Sequence, residues 1–105
     1  MIDKKINEGI ILLGSNLGDR FMMLSDAVYY LKQSEIEITN QSGIYETAAW
    51  GIENQPAFLN QAVKIKTEMG ADVLLKRILD IEKIIGRVRD NKWEQRCIDI
   101  DILFF

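Results

Sequence analysis

The sequence has no histidine, one cysteine (Cys97) and one proline (Pro56) in 105 residues. Without histidine, the usual general base and the commonest transition-metal ligand are missing. A lone cysteine forms no internal disulfide and cannot by itself build a zinc or iron–sulfur site. No apolar run approaches the length of a membrane span. Met1-Ile2-Asp3-Lys4-Lys5 leads into no long apolar region with a small-residue cleavage site, so no signal peptide is expected and a cytoplasmic protein is the simplest reading. The net charge of −3 argues against nucleic acid or an anionic membrane as a partner of the whole surface. An apolar share of 48% with few turn formers excludes disorder, and the length suits one domain around one core.

What is present reads as alternating strands and helices. Ile10-Ile11-Leu12-Leu13 is a short continuous apolar run that predicts a buried strand ending at Gly14. A turn over Gly14-Ser15-Asn16-Leu17-Gly18-Asp19 follows, with Asp19 as helix N-cap. Phe21, Leu24, Val28 and Leu31 recur at helical spacing over residues 20–33. Residues 35–46 alternate, with Ile36, Ile38 and Ile44 on one parity. After a loop at 47–57, residues 58–67 alternate again. Leu59, Val63 and Ile65 take one face, and Phe58, Asn60, Ala62 and Lys64 take the other. Asp72 is placed to cap a second helix that buries Leu74, Ile78, Ile81 and Ile85 and stops at Gly86. A last strand is expected over 97–105. The order β-α-β-β-α-β predicts an α+β, ferredoxin-like two-layer sandwich: a four-stranded antiparallel sheet with both helices on one face and the other face open.

Three groups of residues carry chemistry. In Ile98-Asp99-Ile100-Asp101-Ile102 the isoleucines face one way and the aspartates the other, roughly 6.5–7 Å apart along the strand. Two such carboxylates can hold a pair of metal ions. Magnesium suits them, because it takes one or two carboxylates and completes its shell with phosphate and water. The same pattern also describes a half-exposed strand with a charged outer face. Arg87, Arg89, Lys92 and Arg96 crowd into ten residues against Asp90 and Glu94. Arginine forks suit phosphate oxygens, but cations after a helix also simply stabilise its C-terminus. Phe58 and Asn60 on the open face offer a ring and an amide to a flat heterocycle, or are an ordinary surface pair. No P-loop and no Gly-x-Gly-x-x-Gly fingerprint is present.

Together these stretches resemble the 6-hydroxymethyl-7,8-dihydropterin pyrophosphokinase family. The resemblance runs in family order from Ile10 to the C-terminus: Leu13-Gly14-Ser15-Asn16-Leu17-Gly18, Tyr45-Glu46-Thr47, Gln55-Pro56-Ala57-Phe58-Leu59-Asn60, Ile81-Glu82, Gly86-Arg87-Val88-Arg89, and Trp93 to Arg96 into Ile98-Asp99-Ile100-Asp101-Ile102-Leu103-Phe104. It implies transfer of diphosphate from ATP, as co-substrate, to hydroxymethyl-dihydropterin in folate biosynthesis, with AMP released. It implies that Asp99 and Asp101 ligate two Mg2+ ions. Phe58 stacks on the pterin, and Thr47, Ala48, Trp50, Asn60 and Trp93 join it. Glu82, Arg89, Arg96 and Ile102 contact the nucleotide, and Arg87 and Arg96 act on the phosphates. Gln95 stands where the family usually has proline, Cys97 where threonine is usual, and Ala48 and Ala49 where proline is frequent. The family continues past the last strand with a proline–histidine segment, further arginines and a second stacking aromatic. The resemblance therefore implies a C-terminally shortened pyrophosphokinase-like domain over 1–105 that folds but transfers diphosphate poorly.

Two other readings share the element order. An RNA-recognition module needs basic and aromatic residues on the third strand, and Phe58-Leu59-Asn60-Gln61-Ala62-Val63 lacks them. A non-catalytic ligand-binding or dimerisation domain explains the length but not an arginine cluster running into paired aspartates.

Overall fold

The computed structural model describes residues 5–48, 57–88 and 98–105. In chain order its elements are β1 (Asn7–Ser15), α1 (Arg20–Gln33), β2 (Glu37–Gln41), β3 (Tyr45–Thr47), β4 (Phe58–Thr67), α2 (Ala71–Val88) and β5 (Asp99–Phe104). Every pairing is antiparallel. The strand order is β2-β4-β1-β5, with β3 also hydrogen-bonded to β4. One face of the sheet is apolar. Ile11, Leu13, Leu59, Val63, Ile65, Ile98 and Ile100 are buried there against Met23, Leu24, Ala27 and Leu31 of α1 and Leu74, Ile78, Ile81 and Ile85 of α2. α1 lies over β1, β2 and β4, and α2 over β5. Among the described residues no helix is long and apolar enough to cross a membrane.

Several expectations need correction. Among the described residues the sheet has five strands, not four, because the stretch expected as one strand over 35–46 supplies two, the second running on to Thr47. The ladder shifts between Ile38 and Asn40, and at Ser42 a side chain joins the pairing, since the Ser42 N–H still donates to the Ala62 carbonyl at 2.8 Å. Ala62 N–H donates to Ser42 Oγ at 2.9 Å, and Gln61 Nε2 donates to the Ser42 carbonyl at 3.0 Å. A bulge of this kind breaks the period of two. Ile36 is therefore buried while Ile44 is 42% exposed. The first strand does not stop at Gly14; it runs to Ser15, since β1 is central and both neighbours pair with it. Phe21 is exposed rather than core-facing; Met23 and Ala27 occupy the stripe, and Val28 only borders the core. Gly86 does not end the second helix. It stays helical to Val88, and among the described residues the positive-φ glycine is Gly18. Asp72 lies inside the first turn of α2, where its charge suits the helix dipole. The expected N-cap is borne out: Asp19 Oδ1 accepts from Met22 N–H at 3.0 Å.

A close approach ties β1 to β5. A Cβ built on Gly9 would lie 2.7 Å from the Phe104 carbonyl oxygen and 2.7 Å from the Phe105 ring. Backbone cannot swing aside as a side-chain tip can, so the strands must part to admit it. Gly9→Ala is expected to cost about 1–3 kcal/mol. Urea unfolding reads this as a lower midpoint at unchanged slope; an unaltered midpoint would mean that the approach is slack.

Candidate functional site

Cross-strand partners share a face, so the register alone assembles the site. Tyr45 pairs with Asn60, Asn60 with Gly14, and Gly14 with Asp99. These four form one row across the open face of the sheet. The next row runs from Ala62 through Leu12 to Asp101. Thr47 pairs with Phe58 at the end of the β3–β4 ladder. The expected heterocycle contacts Thr47, Phe58 and Asn60 and the expected metal ligands Asp99 and Asp101 therefore stand on one surface. Asn60 and Asp99 are about 10 Å apart, two strand spacings.

Gly14 makes this surface usable. A side chain there would stand between the amide and the carboxylate. A Cβ would meet Asn60 Oδ1 at 3.3 Å and the Phe58 ring at 3.9 Å. Gly14 is buried although it lies on the open face, because Phe58 and Asn60 lean over it. Asn60 Nδ2 donates to Thr47 Oγ1 at 2.7 Å. That bond fixes the amide, and Oδ1, an acceptor, is the atom turned towards Gly14.

At the other end of the row, Asp99 is half-buried and Asp101 exposed, while Ile98 and Ile100 are buried on the opposite face. β5 is an edge strand, so alternate N–H groups point away from β1. The Ile100 N–H donates to Glu82 Oε2 at 2.9 Å. Glu82, expected as a nucleotide contact, is thus also a brace from α2 to the backbone between the two aspartates. Ile102 faces the helices and packs against the core. Arg87 is exposed in the last turn of α2, where a cation suits the helix dipole, and Ala48 is exposed after β3. Trp50, Arg89, Trp93 and Arg96 lie outside the described residues. Among the described residues no group of three or more acidic or cysteine side chains gathers. Two carboxylates on an open face fit magnesium, which draws the rest of its shell from phosphate and water.

The register thus sets an aromatic–amide corner and a pair of carboxylates on one open antiparallel face, with a glycine between them. The family of 7,8-dihydro-6-hydroxymethylpterin-pyrophosphokinase (HPPK) matches residues 10–105, and the chain belongs to that family. It is 45% identical over 100 residues to the 2-amino-4-hydroxy-6-hydroxymethyldihydropteridine pyrophosphokinase of Bacillus subtilis (strain 168), a match covering 94% of this chain and 60% of that protein. It is 40% identical over 104 residues to the mitochondrial folate synthesis bifunctional protein of Pisum sativum, covering 99% of this chain and 20% of that protein. The chain therefore spans about 60% of the length of the bacterial relative. A crystal structure of an unknown protein from Galdieria sulphuraria superposes with a TM-score of 0.58 at 8% identity, over 100% of this chain and 53% of that one, a likeness of fold alone.

Sequence reasoning passed over Arg20 and misplaced Gly14. Arg20 is the first residue of α1, and its Nη1 donates to Glu46 Oε2 at 3.1 Å and to the Ala57 carbonyl at 2.8 Å. A signal was available for Arg20: a cation at a helix N-terminus opposes the dipole and needs another reason to be there. For Gly14 the signal was weaker, because a glycine followed by Ser15 and Asn16 reads as a turn whether or not a strand continues through it.

Proposed function

We propose that this chain transfers diphosphate from ATP to 6-hydroxymethyl-7,8-dihydropterin in folate biosynthesis. The observation that carries the reading is the row Asn60–Gly14–Asp99, which sets a heterocycle-facing acceptor and a metal-facing carboxylate on one surface with a bare backbone between them. Phe58 offers a ring to stack on the pterin, and Asn60 Oδ1 accepts from an N–H on its edge. The pterin hydroxymethyl group then extends over Gly14 towards Asp99 and Asp101. Those two residues would hold two Mg2+ ions, which would supply charge neutralisation at the phosphate oxygens and acidify the attacking hydroxyl. In the transfer, the hydroxymethyl oxygen forms a bond to the β-phosphorus, the bond from that phosphorus to the bridging oxygen of AMP breaks, and the hydroxyl proton is released. The chain's own part is placement and charge, which is where phosphoryl-transfer catalysts gain most of their rate.

The outer edge of β5 supports the nucleotide side of the reading. Ile100 already spends its outward N–H on Glu82, and the period of two turns the Ile102 backbone to the same edge for an adenine to use. Arg87, Arg89 and Arg96 supply the cations for the phosphates, and Trp50, Trp93 and Ala48 complete the pterin's surroundings. The strand path β2-β4-β1-β5, with β3 sharing the outer position of β2, supports a ferredoxin-like frame. A single buried cluster shared by both described helices supports one pyrophosphokinase-like domain. We place the reaction in the cytoplasm, where a chain with a single cysteine is at home. Incubation with ATP, Mg2+ and the pterin, followed by measurement of AMP, tests the function. AMP released in step with pterin diphosphate is expected. Pterin binding with no AMP under any condition would instead make this a ligand-binding domain.

A further inference from the structure

We propose that Arg20 is a positioning residue for the pterin corner, acting from the helix side of the sheet through Glu46 and Ala57. The inference rests on the pterin reading of Phe58 and Asn60. Three observations carry it. First, Arg20 reaches the residue before Thr47 and the residue before Phe58 with one nitrogen: Nη1 donates to Glu46 Oε2 at 3.1 Å and to the Ala57 carbonyl at 2.8 Å. Thr47 and Phe58 are Cα partners, so the guanidinium bridges the two strands immediately beside that pair. Glu46 pairs with Leu59, which is buried under the helices, so the grip comes from the face opposite the site.

Second, the pair needs a grip. β3 has three residues, bonds to β4 alone, and ends at Thr47. A terminal pair on a short edge strand frays readily. If Thr47 drifts, Asn60 loses the partner of its Nδ2, and its amide no longer presents Oδ1 over Gly14. Third, Arg20 sits against local preference. It is the first residue of α1, whose first turn contains no acidic residue. A cation there opposes the helix dipole, and residues that break a local rule are often explained by a site. The Arg20–Glu46 ion pair is too open, at 26% and 59% side-chain exposure, to matter much for stability. Its effect is geometric, and the partly buried bond to the Ala57 carbonyl supplies the direction.

The test uses the full chain and four variants, Arg20→Ala, Arg20→Lys, Glu46→Ala and Phe58→Ala. Affinity for hydroxymethylpterin is read by fluorescence quenching, affinity for a non-hydrolysable ATP analogue with Mg2+ by calorimetry, and amide exchange by mass spectrometry. Arg20→Ala is expected to weaken pterin binding about tenfold. Nucleotide affinity stays within about twofold, because Asp99 and Asp101 are held by β1 and Glu82 and not by Arg20. Arg20→Lys restores part of the loss, and Glu46→Ala, which keeps the bond to Ala57, loses less than Arg20→Ala. Exchange at Thr47 and Phe58 rises while that at Ile100 does not. A uniform loss of stability would not separate the two ligands or the two ends of the sheet. Wild-type pterin affinity in Arg20→Ala, with Phe58→Ala weakened, overturns the role of Arg20 and leaves the pterin site standing. Wild-type affinity in Phe58→Ala overturns the pterin reading, and the role of Arg20 with it. If Arg20→Ala does not fold, equal effects of Glu46→Ala and Arg20→Lys on both ligands overturn the proposal.

Discussion

Asp101→Ala and Asp99→Ala each lose magnesium-dependent nucleotide binding by about a hundredfold or more, equivalent to ~2.7 kcal/mol, while the fold survives. The side chains stand on the open face of β5, opposite Ile98 and Ile100, which are buried against α2 and the rest of the core. Removing either carboxylate therefore leaves no cavity in the apolar core. On the proposed reading the two carboxylates draw Mg2+ to this edge, and the loss of one halves the charge they present to it. The remaining ligands, water and phosphate, have no fixed position of their own. Calorimetry with a non-hydrolysable ATP analogue, with and without Mg2+, measures the loss, and thermal unfolding monitors the fold. Unchanged magnesium-dependent affinity in both variants would falsify the assignment of these aspartates.

Gly14→Val is expected to cost pterin affinity about as heavily, and for a different reason. A valine at 14 fills the gap between Asn60 and Asp99, across which the proposed function lays the hydroxymethyl group. Its Cβ alone would press Asn60 Oδ1 at 3.3 Å, and its branches have the Phe58 ring and the Leu59 carbonyl as neighbours. Strand pairing itself tolerates the change. Gly14 is flanked by partners on both sides, lies among the residues of β1 and has no positive φ, and valine is a good strand former. The expected result is a fold of ordinary stability whose pterin affinity falls ~100-fold, with calorimetry on the pterin alone as the readout. Pterin affinity within about twofold of wild type would mean that the ligand does not cross Gly14. That result would remove the bridge between the two halves of the site.

The parts of the fold that follow from periodicity were legible. The spans of α1 and β4 and the stripe Leu74, Ile78, Ile81, Ile85 come directly from where apolar residues recur. The alternation in Ile98-Asp99-Ile100-Asp101-Ile102 was enough to set isoleucines inward and aspartates outward. Three features misled. The break in the second strand depends on the Ser42 hydroxyl accepting a bond from Ala62, twenty residues away, and no local pattern announces it. Gly86 has the chemistry of a helix stop, but α2 continues to Val88, at the roughly 1 kcal/mol that a helical glycine costs. Phe21 is 59% exposed while Met23 and Ala27 are buried, because the side of α1 that meets the sheet is set by where β1 and β4 lie.

The sequence by itself determined which side chains could do chemistry and which face of each element they would take. Side-chain direction in a strand has a period of two, in a helix 3.6, and both are local properties of the backbone. Tertiary structure decided which of those faces meet. Register between β4, β1 and β5 placed Asn60, Gly14 and Asp99 in one row although Asn60 and Asp99 are 46 and 85 residues from Gly14 along the chain. It turned Gly14 from a turn residue into the strand residue between Asn60 and Asp99, gave Glu82 a backbone N–H to hold, and brought Arg20 to the back of the Thr47–Phe58 pair. Cross-strand register is the sum of many pairings and of core packing on the far face, so no single window of residues contains it.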